Sequence, residues 1–189
     1  MSNTEFPVMK EDCVHRLDID KITFTGDVTV DSMKTLTREL YQMIRELPHS
    51  RDPAQKPKLY LLIATNGGDL YAAFSAYDHI LRLRKQVDII TVADGFVASA
   101  GTLLLMAGKQ RMAMPNSGLL FHQLSSGFNG TYKDMMDQVD ACKWLMKRLT
   151  RVYHKNSNMT RKQVSKLLKS EKTLTVKKCM NMGFVHEYY

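Results

Sequence analysis

Ser99 lies in the stretch Phe-Val-Ala-Ser-Ala-Gly-Thr (residues 96–102), between two alanines and just ahead of a long apolar run. In that setting a serine is either a nucleophile on a sharp turn or a small residue that lets a helix pack closely. Acyl-transfer chemistry separates the two, because it needs a base, a group that orients the base, and donors for the oxyanion. His122, at the end of Gly-Leu-Leu-Phe-His, is the candidate base. The rival reading of a histidine at a strand end is structural. The carboxylates beyond it are Asp134, Asp137, Asp140, Glu171 and Glu187. The three aspartates recur every third residue on a charged helix face, which reads as solvated surface. Glu171 lies in Lys-Ser-Glu-Lys-Thr-Leu-Thr, a loop between helices from which a carboxylate can be aimed back at a histidine.

Oxyanion donors are available on both sides of the serine. The Ala100 amide falls in the first turn of a helix, where it has no intrahelical acceptor, and the helix dipole favours negative charge there. Gly67 and Gly68 follow a buried strand, and without Cβ atoms they let a substrate reach their amides. A phosphate-cradling loop is excluded, since neither GxGxxG nor GK[ST] occurs. The chain order Ser, His, acid also differs from the orders of α/β-hydrolases, chymotrypsin-like and subtilisin-like enzymes.

These residues need elements to hold them. Residues 21–30 alternate and are β-branched, so they predict a strand. Asp31 or Ser32 then caps a helix to about Leu47, with Met33, Leu36, Leu40 and Ile44 on one face. A polar loop over 48–57 precedes Leu-Tyr-Leu-Leu-Ile-Ala-Thr (59–65), a continuous apolar run of the kind buried on both faces. A helix over 70–84, a strand over 87–94, a helix ending near Gly108 and two short strands follow. Residues 132–156 form a long helix with Met135, Val139, Cys142, Leu145, Met146, Leu149 and Tyr153 in one stripe. That stripe is more complete than a single crossover helix needs and suits packing against another subunit. Thr-Arg-Lys-Gln (160–163) has capping-box form, and Thr175 and Gly183 bound a last short helix. Strands alternating with helices predict an α/β fold with a parallel sheet.

The 189 residues fit one domain, and 44% hydrophobic with 24% charged residues is ordinary globular composition. The apolar runs fall well short of a membrane span, and the N-terminus lacks the pattern of a secretory signal. Cys13, Cys142 and Cys179 form no CxxC pair, and the histidines show no metal-ligand spacing. A reducing, cytosol-like compartment and no metal or cofactor are expected. The net charge of +8 is concentrated in 141–189, with twelve Lys and Arg against Glu171 and Glu187. These cations interleave with apolar residues at helical spacing, and no aromatic stacking motif accompanies them. A solvated helix face is therefore preferred to a nucleic-acid surface.

Five blocks resemble, in order and spacing, the proteolytic subunit of the Clp protease family (ClpP): ITFTGDV, LYLLIATNGGDLYAAFSAYD, ASAGTLLLMAG, MPNSGLLFHQ and LTVKKCMNMGFVHEY. The resemblance covers about residues 20–188. It implies one peptidase domain over 1–189 with an N-terminal segment (1–19) and a handle region (124–157). The implied fold is a crotonase-like α/β superhelix of repeated β-β-α units with a protruding long handle helix. It further implies Ser-His-acid hydrolysis of unfolded polypeptides in a chamber of heptameric rings, stacked as a tetradecamer or mixed with a paralogue. A AAA+ unfoldase would feed that chamber. Ser99 would be the nucleophile, His122 the base and Glu171 the acid, with the Gly68 and Ala100 amides as oxyanion hole. Gly67, Leu70, Ser125 and Ser126 would contact substrate, and Leu124 to Gly127 would pair with the substrate strand. Tyr60 and Leu62 would belong to the unfoldase-docking pocket. A cytoplasmic location is implied, in a bacterium or in the host of a phage.

The chain departs from the family pattern at several of these positions. Glu171 stands where the family has aspartate, and Ser170 where it has the arginine that helps link rings, with Lys169 and Lys172 flanking. Asn66-Gly67-Gly68 replaces Pro-Gly-Gly, Ser126-Gly127 replaces a glycine pair, and Leu62 replaces an aromatic. One alternative is a catalytically silent ring subunit with a structural, partner-binding role. A second is an acyl-CoA enzyme of the crotonase type, which needs the oxyanion amides but no Ser-His pair.

Overall fold

The computed structural model describes residues 13–48 and 55–189. Most of the segment 1–19 and of the polar loop expected over 48–57 lies outside them. β1 (Val14–Asp18) pairs antiparallel with β2 (Lys21–Thr25), so the end of that segment is part of the sheet. β2 stops five residues before the predicted end. Gly26, at φ +111°, takes the chain out of the ladder, and only Val28 returns to it, as a bridge to Gly68. The first helix, α1 (Val30–Glu46), accordingly starts early. Its cap is Thr29 rather than Asp31 or Ser32, and Ser32 is the reciprocal member of the capping box. Its amide donates to Thr29 Oγ1 at 3.1 Å while its hydroxyl accepts from the Thr29 amide at 2.9 Å. Such caps contribute about 1 kcal/mol.

β3 (Lys58–Thr65), α2 (Leu70–Leu83), β4 (Asp88–Ala98), α3 (Gly101–Met106), β5 (Gln110–Ala113) and β6 (Gly118–Leu120) follow. β2, β3, β4 and β5 are parallel neighbours, as alternating strands and helices require. The sheet is nevertheless mixed. Besides β1, β7 (Leu174–Thr175) is antiparallel to β6, which branches off the upper end of β4. β8 (Glu187–Tyr188) closes the edge beside β5.

The period of two decides what each sheet face carries. Leu59, Leu61 and Ile63 of β3 and Ile89 and Ala93 of β4 enter the main core, against Leu36 and Leu40 of α1 and Ala73 and Ile80 of α2. Leu62, Ile90 and Val92 face the other way and form a small separate cluster with Tyr60, Met112 and Met114.

α4 (Tyr132–Lys155), capped by a Thr131–Asp134 box, is buried only at Leu145, Leu149 and Tyr153. Its first half is exposed on both faces, with Tyr132, Met135, Met136 and Val139 in solvent, so it projects from the body. α5 (Arg161–Leu168) packs beside it with the Thr160–Gln163 capping box, and α6 (Val176–Asn181) starts at the Thr175 cap and stops at Gly183, φ +78°. Arg111 ties these ends together, donating to the carbonyls of Phe184 (2.8 Å), Gly183 (2.8 Å) and Asn156 (3.1 Å). Burial, reinforced by Arg84, pushes its guanidinium down to about 10. No helix among the described residues is long and apolar enough to cross a membrane.

Candidate active site

β4 continues past the predicted Asp94 to Ala98, and this extension creates the site. Phe96, Val97 and Ala98 pair with Gly118, Leu119 and Leu120 of β6, and the Ser99 amide adds one more bond, to the Leu120 carbonyl at 2.9 Å. The chain must then turn sharply into α3. Ser99 absorbs that turn at φ +54°, the single non-glycine residue with positive φ among the described residues. For a residue with a Cβ, this conformation costs about 1–2 kcal/mol. Strain of this kind persists where surrounding structure enforces it, as in strand-to-helix turns that lift a nucleophile out of the backbone.

The turn leaves two amides open. Ala100, the N-cap of α3, and Gly68 donate to no acceptor among the described residues. Gly67 makes room for the first of them. At φ +103°, a Cβ on Gly67 would stand 2.5 Å from Ser99 Cβ and 3.1 Å from the Ala100 nitrogen. Gly68, at φ +143°, is pressed onto the Val28 carbonyl, where no side chain fits.

A cavity of about 180 Å³ opens on these groups, lined by Gly68, Leu70, Ser99, Ala100, His122 and Ser125, with Gln123, Leu124, Leu149 and Tyr153. The sequence-derived nucleophile, base, both oxyanion amides and two substrate contacts thus meet in one place. Two further expected substrate contacts lie outside the lining. Gly67 packs behind Ser99, and exposed Ser126 accepts from Gln138 of α4 at 3.3 Å.

Of the expected site residues, the proposed acid is the least tied to the cavity. Glu171 is exposed, is absent from the cavity lining, and like His122 makes no hydrogen bond or ion pair among the described residues. β6 and β7 pair Leu119 with Leu174, so Glu171 lies in the loop three residues before the paired end of β7. The rival aspartates are engaged elsewhere on α4. Asp134 caps it, accepting from Thr131 in bonds that hold its carboxyl below the usual range, and Asp140 pairs with Lys143 at 2.9 Å. Asp137 is exposed on the same helix.

Two residues that sequence reasoning left out also reach the site. Tyr153, counted as one of the apolar stripe, brings its buried hydroxyl to 2.6 Å from Thr102 Oγ1, and Thr102 in turn donates to the Ser99 carbonyl at 2.7 Å. Burial pushes the Tyr153 phenol well above its ordinary value, so it stays protonated. A buried tyrosine needs a partner, and that was the available signal. Its ring stands edge-on to Phe121 and Phe184, which stack at 4.3 Å.

On the far side of the sheet, Tyr60 lies on the rim of the Leu62, Ile90 and Val92 cluster, its ring 5.8 Å from that of Tyr189.

Comparison with known proteins agrees with the geometry. The profile of the Clp protease family matches residues 10–188. The ATP-dependent Clp protease proteolytic subunit of Deinococcus radiodurans is 29% identical over 179 residues, which is 93% of this chain and 83% of that protein. With the family's profile matched over nearly its whole length, and a serine turn, a histidine and the Gly68 and Ala100 amides meeting at one cavity, the chain belongs to the Clp protease family.

Proposed function

We propose that this chain is the peptidase subunit of a Clp-type ATP-dependent protease and cleaves unfolded polypeptides by serine acyl transfer. The observation that carries the reading is Ser99 at φ +54°, with the unpartnered amides of Ala100 and Gly68 and the imidazole of His122 around one cavity. Ser99 Oγ attacks the scissile carbonyl carbon as His122 takes its proton. The carbonyl oxygen becomes an oxyanion held by the two amides. Collapse breaks the C–N bond, and His122 returns the proton to the departing amine. Water, deprotonated by His122, then cleaves the acyl ester and restores the serine. Glu171 holds the imidazole with Nδ1–H toward its carboxylate and stabilises the imidazolium. The exposed apolar half of α4 suits assembly into heptameric rings, and a cytoplasmic chamber fed by a AAA+ unfoldase follows from the family.

The test is reaction of the assembled protein with a fluorophosphonate. Labelling at Ser99, lost in Ser99→Ala together with cleavage of short peptides, is the expected result. The silent ring subunit is the second reading, favoured by the exposed, unpaired Glu171. Assembled rings that neither label nor cleave would establish it.

A further inference from the structure

We propose that Thr102 and Tyr153 are positioning residues that aim the Ala100 N–H into the oxyanion hole by anchoring the other side of the same peptide group. The inference rests on the peptidase reading above and deepens it. The peptide joining Ser99 to Ala100 is planar and trans, so its C=O and N–H point in opposite directions. Whatever fixes the Ser99 carbonyl therefore also fixes the direction of the Ala100 amide.

Two donors from Thr102 grip that carbonyl: its amide at 3.0 Å and its hydroxyl at 2.7 Å. The hydroxyl has one proton, and it is spent on Ser99. Tyr153 must then be the donor in its 2.6 Å contact with Thr102 Oγ1. By donating to Thr102 Oγ1, the phenol leaves the Thr102 proton directed at the Ser99 carbonyl. Neither side chain has slack, since Thr102 is fully buried and Tyr153 nearly so.

This grip has a task that ordinary helix capping does not. The positive φ of Ser99 is set by the preceding peptide, so the Ser99–Ala100 peptide is still able to rotate about Ser99 ψ and Ala100 φ unless something holds it. Rotation would swing the Ala100 N–H away from the place where negative charge develops. Two hydroxyls acting in series oppose it. Because Tyr153 comes from α4, the hole is also coupled to the seating of the projecting helix.

The experiment compares Thr102→Val, Thr102→Ser and Tyr153→Phe with the wild type in the full-length assembled protein. It measures kcat and KM on a fluorogenic peptide, inhibition by a peptide boronate that forms the tetrahedral adduct at Ser99, and thermal melting. Thr102→Val should lower kcat by about tenfold to a hundredfold, less than the 10²–10³-fold cost of deleting an oxyanion donor outright. KM should stay within about twofold, and boronate affinity should fall in step with kcat, because both report the tetrahedral state. Thr102→Ser, which keeps the hydroxyl, should recover most of the loss. Tyr153→Phe should give a smaller kcat loss of the same kind, and it keeps the test alive if Thr102→Val does not fold. Folded variants with lowered melting temperature but normal kcat and boronate affinity would overturn the proposal, leaving a purely structural pair. A wild type without Ser99-dependent turnover would remove the peptidase reading and this inference together.

Discussion

The Ser99 amide donates to the Leu120 carbonyl at 2.9 Å, one step beyond the last paired residues of β4 and β6. That bond joins the Ser99 turn to the segment that carries His122, the proposed base, because His122 lies two residues beyond Leu120. Ser99 and His122 thus lie just past the ends of two adjacent parallel strands, β4 and β6.

Strain at Ser99 makes stability and function separable. In Ser99→Ala the left-handed conformation is kept and only the nucleophile is lost. In Ser99→Gly the strain of about 1–2 kcal/mol is relieved, partly offset by the greater freedom of glycine in the unfolded chain. Both variants should be inactive, and Ser99→Gly should be the more stable by up to about 1 kcal/mol in urea unfolding. An equal or lower stability for the glycine variant would remove the case for strain.

Gly67 tests the packing behind the nucleophile. A methyl group there meets Ser99 Cβ at 2.5 Å and the Ala98 carbonyl at 2.9 Å, at a backbone angle that already disfavours side chains. Gly67→Ala should displace the turn and lower peptide turnover by about 10²-fold or more, the scale of a lost oxyanion donor. Melting should fall as well. A variant with wild-type kcat would mean the turn tolerates the shift.

For Glu171, the decisive substitution is Glu171→Gln, which preserves size but allows the wrong imidazole tautomer. A comparable change in a serine protease costs about 10⁴-fold, and a loss of at least several hundredfold is expected here with KM little changed. Asp134→Asn, Asp137→Asn and Asp140→Asn should each stay within about a few-fold of wild type, as exposed charges do. Normal turnover in Glu171→Gln would assign the third member elsewhere.

His186 should give folding a pH dependence of its own. Its Nδ1 accepts the Arg111 amide proton at 3.1 Å, so the ring must be neutral there. Burial first and the Arg111 guanidinium second hold it below the ordinary 6.5, with Glu187 pulling the other way. The unfolded chain binds this proton more readily, so the contribution is complete above pH 6.5 and is lost as pH falls toward the folded value. His186→Asn keeps an acceptor without a titrating ring. The fall in melting temperature from pH 7 to pH 5 should be shallower in it, and identical slopes would exclude His186 as the source.

Tyr60 tests the proposed unfoldase docking. It sits on the rim of the apolar cluster of Leu62, Ile90 and Val92, on the sheet face away from the main core. Tyr60→Asp should abolish ATP-driven degradation of a folded substrate while peptide cleavage stays within about twofold, since an interface charge acts on docking rather than on chemistry. Loss of both activities together would place Tyr60 in the fold's stability instead.

Much of the molecule was legible because local physics fixes it. The apolar run of β3, the stripe of α1, the capping boxes at Thr160 and the glycine stop at Gly183 all follow from short-range pattern. Ser99, His122 and the Gly67-Gly68 pair could be singled out because few residue types can do acyl transfer. What spacing could not supply was anything decided by a partner distant in sequence. β4 runs on to Ala98 because β6, twenty residues later, offers it a ladder. Thr29 displaces Asp31 and Ser32 as the cap directly after Val28, which bridges to Gly68 forty positions later. Tyr153 looked like one more apolar stripe residue, and only its contact across fifty-one positions with Thr102 made its hydroxyl part of the site. Sequence determined which groups could react. The tertiary structure decided which backbone amides stay free to help them, because an amide's freedom depends on every acceptor the fold brings near it.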